Sequence, residues 1–167
     1  KFKHYANTVI GLVRKANEDS IGSLLKKDTS EYGDIFIVCD GMGGHVGGAV
    51  ASSKAVKCIL EYFQQNPHPN PIVALEKSVS FANQQIFGLS QQDQNLKGMG
   101  TTCTVLLLKE DKVYIAHVGD SRIYINTDNK LYRITKDHSF VQKLVDAGQL
   151  KDSEMESHPR KNELTQA

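Results

Sequence analysis

The sequence contains no tryptophan and only three cysteines among its 167 residues. Cys39, Cys58 and Cys103 are far apart and form no Cys-x-x-Cys pair. Two of them lie in apolar runs, where cysteine packs as a small hydrophobic side chain. A disulfide framework or a structural zinc site is therefore not expected. Unpaired cysteines of this kind favour a reducing compartment, which predicts a cytoplasmic protein.

The chain also lacks an excess of either charge. Lys and Arg together number 20 and Asp and Glu 19, so the formal net charge is +1. This balance excludes the basic surface that attracts nucleic acids and anionic membranes, and we expect neither as a partner. The longest apolar run, residues 105–108, is much shorter than the roughly 18 residues of a membrane-spanning helix. No membrane span is predicted.

The first half of the chain has the patterns of one strand and two helices. A continuous apolar run at residues 34–38 predicts a buried strand, which ends in a glycine-rich turn at residues 40–44. Apolar residues then recur at helical spacing through residues 56–63. A second amphipathic helix begins near Ile72. Each helix is expected to bury one face against a sheet.

From Met99 the pattern changes to short strands with tight turns, which predicts antiparallel pairing. The predicted strands are residues 101–108, 113–118, 121–125 and 130–134. A four-residue loop, residues 126–129, joins the last two. A short helix at residues 140–147 is stopped by Gly148. This order predicts an α+β fold with antiparallel sheets, in a single domain of residues 1–167.

The glycine-rich segment after the first strand carries one carboxylate and one imidazole. Asp40 lies where the apolar strand meets a cluster of glycines, and hard cations such as Mg²⁺ or Mn²⁺ prefer such oxygen ligands. The alternative is a simple turn aspartate. His45 follows the glycines and could donate a proton near neutral pH, or it could be an exposed loop residue.

Two other segments carry acidic residues beside arginine. Glu18 and Asp19 follow Arg14, whose planar guanidinium suits a phosphate; the alternative is a solvated polar loop. Asp120 lies between two strands, where an unpaired charge is costly. Either it pairs with Arg122 in a tight turn or it reaches into a metal site, and the spacing leaves both open.

The order of these segments is more specific than any one of them. Five motifs follow one another in the chain: residues 14–19 (Arg-Lys-Ala-Asn-Glu-Asp), 40–45 (Asp-Gly-Met-Gly-Gly-His), 98–102 (Gly-Met-Gly-Thr-Thr), 118–122 (Val-Gly-Asp-Ser-Arg) and 135–139 (Thr-Lys-Asp-His-Ser). This series closely resembles the metal-dependent serine/threonine protein phosphatases of type 2C, in their bacterial form. The resemblance covers nearly the whole chain, from about residue 9 to residue 167.

The resemblance implies two antiparallel β-sheets in a sandwich flanked by helices, with a binuclear Mn²⁺ or Mg²⁺ site between the sheets. It implies hydrolysis of phosphoserine and phosphothreonine on proteins by a metal-activated water. Carried over by position, Asp40 would bridge the two ions and the Gly41 carbonyl would bind one of them. Glu18 and Asp19 would hold waters on the ions, and Asp120 would match the ligand of a third, weaker ion.

The same resemblance implies roles for two more residues and for partners. Arg14 would bind the phosphate of the substrate, and His45 would act as the general acid. The expected partners are phosphorylated proteins, with a serine/threonine kinase among them.

The family pattern continues beyond the last residue of this chain. It includes a Ser-Asp-Gly segment and a later Asp-Asn pair, which supply two carboxylates to the metal site and the closing strands, and Ala167 precedes both. We therefore expect the C-terminal part of the fold to be missing, and this chain to bind metal poorly and to be weak or inactive. The alternatives are a phosphoprotein-binding relative without hydrolytic activity, or a regulatory fragment.

Overall fold

The computed structural model describes residues 3–26, 32–43 and 46–167. Within these ranges the chain forms antiparallel strands and three α-helices, which confirms the predicted α+β class. The strands are β1 (Asp19–Leu24), β2 (Asp34–Met42), β3 (Gly100–Thr101), β4 (Cys103–Lys109), β5 (Lys112–Val118), β6 (Tyr124–Thr127) and β7 (Lys130–Arg133). The helices are α1 (Gly47–Gln65), α2 (Pro71–Gln92) and α3 (Phe140–Asp146), with 3₁₀ turns at Gln94–Leu96 and Asp152–Ser157.

The main sheet has the order β1-β2-β4-β5, and β3 pairs with the end of β2. Side chains alternate between the two faces of each strand. One face is covered by α1, which packs on β1 and β2, and by α2, which packs on α1 and reaches β4 and β5. The core lies between this face and the helices, and its largest fully buried apolar side chains are Ile35, Ile37, Ile59, Val105 and Leu107.

Local sequence signals explain the position of α2. The Asn70 side chain caps its first turn by accepting hydrogen bonds from the backbone N–H groups of Ile72, at 2.9 Å, and Val73, at 3.5 Å. Pro71 occupies the first helical position, where its missing N–H is not needed. The helix therefore begins at the residue where the proline-rich segment ends.

The end of β2 differs from the prediction. The expected turn at residues 40–44 is wrong for its first part, because β2 continues to Met42. Gly41 pairs with Thr101 and Met42 pairs with Gly100, so β3 holds the glycine segment in the sheet. Glycine at position 41 allows a close approach: a Cβ there would lie 2.1 Å from the carbonyl oxygen of Gly48 in α1.

The second hairpin also differs from the prediction. The loop between β6 and β7 has two residues, Asp128 and Asn129, rather than four. Both have positive φ, 51° and 57°, as in the type I′ turn that suits the twist of a two-residue hairpin. Asp and Asn tolerate this conformation. β6 therefore continues to Thr127, beyond its predicted end, although it begins at Tyr124 rather than residue 121 and β7 ends at Arg133 rather than residue 134. The hairpin forms a separate two-stranded sheet, so the predicted antiparallel pairing of consecutive strands is interrupted after β5.

The face of the main sheet away from the helices is only partly covered in the described part of the chain: His4 contacts Phe36 and the Lys136 carbonyl contacts His117. Val38, on the face of β2 away from the helices, is 47% exposed. At the sheet edge, α2 and β5 border an apolar groove of about 1050 Å³. Of the helices in the described ranges, none is both long and apolar enough to cross a membrane.

The buried face of β4 should dominate the stability of this fold. Leu107 is fully buried in a central strand, so Leu107→Ala leaves a cavity and should lower the free energy of unfolding by about 2–5 kcal/mol. Leu131→Ala, at a position 67% exposed on the hairpin, should change it by less than about 0.5 kcal/mol. Urea denaturation of both variants measures the difference, and similar losses would contradict the assignment of the core.

Candidate metal and phosphate site

The pairing of β1 with β2 places two carboxylates side by side. Asp19 lies directly opposite Asp40 in the antiparallel ladder. The backbone of Asp40 is held firmly: its N–H donates to the hydroxyl of Thr102 at 2.8 Å. Its carbonyl accepts from the Thr102 N–H at 2.9 Å and from the Thr101 hydroxyl at 3.0 Å. Like charges directly opposite each other destabilise a sheet, so this pair favours a compensating cation.

The electrostatics of Asp40 show which other predicted residues are nearby. Its pKa is raised to about 6, chiefly by partial burial and then by the negative charge of Asp19. Asp120 raises the pKa further, and the positive charge of Arg14 opposes these effects. Four predicted site residues from three separate segments therefore act on one another at the end of β2.

Glu18 has a carboxylate oxygen that a cation could bind. Its Oε1 atom is buried and has no hydrogen-bond partner among the described residues. The carboxylate lies against the first turn of α1, where a Cβ on Gly48 would be 3.0 Å from Oε1. The Glu18 backbone is fixed, because its carbonyl accepts from the Ser52 hydroxyl at 2.6 Å and from the Gly41 N–H at 3.1 Å. An unsatisfied buried carboxylate oxygen is costly, and a cation would satisfy it.

The segment around Asp120 resolves one of the open alternatives. The guanidinium of Arg122 is bound to Asp137, with its Nε at 3.0 and 3.1 Å from the two carboxylate oxygens. The hypothesis that Asp120 pairs with Arg122 is therefore wrong. Asp137 is 5% exposed, so this ion pair is part of the structure beneath the Asp120 turn.

Arg14 and His45 are the two residues expected to act on a substrate, and the structure describes only Arg14. Arg14 is exposed, in the segment that leads into β1, and its positive charge acts on Asp40. An exposed guanidinium beside a carboxylate cluster can meet a phosphate. His45 lies outside the described residues.

The donor set fits a hydrated hard cation. Within residues 3–26, 32–43 and 46–167, no three carboxylate, imidazole or thiol groups converge closely enough to hold a metal ion by themselves. Mg²⁺ commonly binds through one or two carboxylates and keeps several waters, so such convergence is not required. The crowded carboxylates and the unsatisfied Glu18 oxygen are consistent with an ion of this type.

Comparison with known proteins agrees with this description. The sequence pattern of the family Protein phosphatase 2C matches residues 13–167. The chain is 37% identical over 161 residues to the serine/threonine phosphatase stp of Listeria welshimeri, and 34% identical over 165 residues to the serine/threonine protein phosphatase PstP of Mycobacterium tuberculosis. The chain belongs to the protein phosphatase 2C family.

Solved structures show the same fold. Stp1 from Staphylococcus aureus matches 93% of the chain at 36% identity, with a TM-score of 0.84. The catalytic domain of PstP in complex with two manganese ions matches 86% of the chain at 36% identity, with a TM-score of 0.74. The predicted fold, antiparallel sheets with flanking helices as in the type 2C phosphatases, is confirmed.

The chain spans only part of these relatives. The match to the Listeria phosphatase includes 94% of this chain but 63% of that protein, and the match to PstP includes 99% of this chain but 30% of that protein. In the solved structures the chain covers 61% of Stp1 and 59% of the manganese-bound PstP domain.

The raised pKa of Asp40 predicts how acidity affects the metal-free protein. An unfolded aspartate titrates near about 3.9. The folded state binds the proton on the Asp40 carboxyl more tightly than the unfolded state does. Ionisation of Asp40 should therefore lower the free energy of unfolding progressively as pH rises from about 4 to about 6. Asp40→Asn should therefore be more stable than the original chain at pH 7 in EDTA, and the difference should vanish near pH 4. The urea midpoints of both proteins between pH 4 and pH 7 measure this stability difference. A difference that is the same at pH 4 and at pH 7 would contradict the prediction.

Proposed function

We propose that the protein is a metal-dependent serine/threonine protein phosphatase that hydrolyses phosphoserine and phosphothreonine on other proteins. The observation that carries this proposal is that Asp19, Asp120 and Arg14 all act electrostatically on Asp40, next to a buried Glu18 oxygen without a hydrogen-bond partner among the described residues. Membership in the protein phosphatase 2C family supports the same reaction. A relative that only binds phosphoproteins would have no need to keep these costly carboxylates together.

The proposed site takes two Mn²⁺ or Mg²⁺ ions, and Asp120 serves a third, weaker ion. Asp40 and the carbonyl of Gly41 hold the two ions, while Glu18 and Asp19 act through waters. Ions of this kind lower the pKa of water and neutralise charge on phosphoryl oxygens. The two manganese ions in the complex of the PstP catalytic domain support the number and kind of ions.

The chain's own residues would orient and neutralise the substrate. Arg14 binds the phosphate, since its two parallel N–H groups match two phosphate oxygens and its charge stabilises the transferring group. The Thr101 hydroxyl and the Thr102 N–H donate hydrogen bonds to the Asp40 carbonyl and hold the Asp40 backbone in place. His45 is proposed as the proton donor to the leaving oxygen.

Residues 1–167 belong to one phosphatase domain, whose substrates are phosphorylated proteins, including a serine/threonine kinase. We propose a cytoplasmic location, which three unpaired, buried cysteines support.

The test is a Mn²⁺-dependent assay of the full-length gene product on a phosphothreonine peptide. Asp40→Asn removes the charge that holds the ions, so kcat/KM should fall more than about 100-fold, beyond the roughly 10–100-fold loss typical of outer partners of a metal.

Asp111→Asn is the matched control, because it makes the same chemical change at an exposed turn between β4 and β5. This variant should hydrolyse the peptide like the unchanged protein. Phosphopeptide binding without any hydrolysis by the unchanged protein would indicate the binding relative instead.

A further inference from the structure

The motif at residues 98–102 supplies none of the proposed metal or phosphate ligands, yet it ends in a buried threonine at the site. Thr102 lies between β3 and β4 and is 2% exposed. Its hydroxyl accepts the Asp40 N–H at 2.8 Å and contacts the Ser121 hydroxyl at 2.8 Å. One buried side chain therefore touches both segments that carry the site aspartates.

The hydroxyl of threonine can make both contacts at once. It has one donor proton and two acceptor lone pairs. The Asp40 N–H occupies one lone pair, and the contact with Ser121 uses either the proton or the second lone pair. The Thr102 N–H closes a second bond to the Asp40 carbonyl at 2.9 Å. The position of Asp40 is thus linked to the residue that follows Asp120.

The methyl group of Thr102 contacts the same turn. Gly119 has a φ of +103°, and a Cβ added there would lie 2.5 Å from Cγ2 of Thr102. The turn before Asp120 therefore rests directly on this methyl group, at a distance that only glycine permits. Hydroxyl and methyl together fix the spacing between the two aspartate-bearing segments.

We propose that Thr102 is a positioning residue that sets the spacing of Asp40 and Asp120 for divalent cation binding. The inference rests on the proposed metal site. Valine at this position would keep the shape but leave the Asp40 N–H buried without its acceptor, which is costly. Serine would keep the hydroxyl and lose only the methyl group.

The test compares Thr102→Val with Thr102→Ser in the full-length gene product, with two readouts. Amide hydrogen exchange of Asp40 in the metal-free protein reports its hydrogen bond, and electron paramagnetic resonance of free Mn²⁺ reports the dissociation constant. Thr102→Val should speed the exchange of the Asp40 amide and weaken Mn²⁺ binding by about 10–100-fold, the range for outer partners of a metal. Thr102→Ser should restore the protection of the Asp40 amide and most of the affinity.

Thr104→Val is the matched control, since the Thr104 hydroxyl contacts the Nδ1 atom of His117 at 2.9 Å. It should leave both the Asp40 amide and the Mn²⁺ affinity unchanged. If Thr102→Val does not fold by circular dichroism, Ser121→Ala takes its place: Mn²⁺ binding should weaken while the Asp40 amide stays protected.

Three outcomes separate this inference from the proposed function. Unchanged Mn²⁺ affinity in Thr102→Val, or in Ser121→Ala where that variant replaces it, overturns the role of Thr102. If Asp40→Asn loses Mn²⁺ in the same experiment, the proposed metal site stands without that role. If Asp40→Asn binds Mn²⁺ as tightly as the unchanged chain, the proposed function and this inference are both overturned.

Discussion

The opposition of Asp19 and Asp40 across the β1–β2 ladder is the constraint on which the site depends. Partial burial, followed by repulsion from Asp19 and Asp120, raises the pKa of Asp40 to about 6. The arrangement costs stability in the metal-free protein and is relieved by a bound cation. Arg14 offsets only part of the charge. The structure therefore maintains a local electrostatic strain that a divalent ion would remove.

Close packing around the end of β2 keeps these carboxylates in place. Gly41 allows the strand to approach Gly48 at the start of α1, and the same contact brings Glu18 against the first turn of that helix. The positive end of a helix dipole favours a carboxylate there. On the other side, Thr102 holds the Asp40 backbone with two hydrogen bonds. These contacts fix the backbone on both sides of Asp40, so Asp19 and Asp40 stay close together despite the repulsion between their carboxylates.

The sequence predicted the helices and the α+β class because these depend on local periodicity. It did not predict that β2 continues through Gly41, because that extension requires pairing with Thr101, which is distant in the chain. The ion pair of Arg122 with Asp137 was missed for the same reason: side chains that meet across a fold leave no spacing signal. The ordered motifs predicted that Asp40 belongs to a site, but the coupling of its carboxylate to neighbouring charges depends on how the fold brings distant segments together. The proposed role of His45 stays a prediction.

The central claim is that a divalent ion binds at the end of β2, and paramagnetic broadening by Mn²⁺ tests it most directly. In a ¹⁵N-labelled sample of the full-length gene product, added Mn²⁺ should broaden the amide signals of Asp19, Asp40 and Asp120 first. The amide of Asp128, at the tip of the β6–β7 hairpin, should stay sharp at the same concentration. Broadening that begins at Asp128, or that spares Asp40 while other carboxylates respond, would contradict the account.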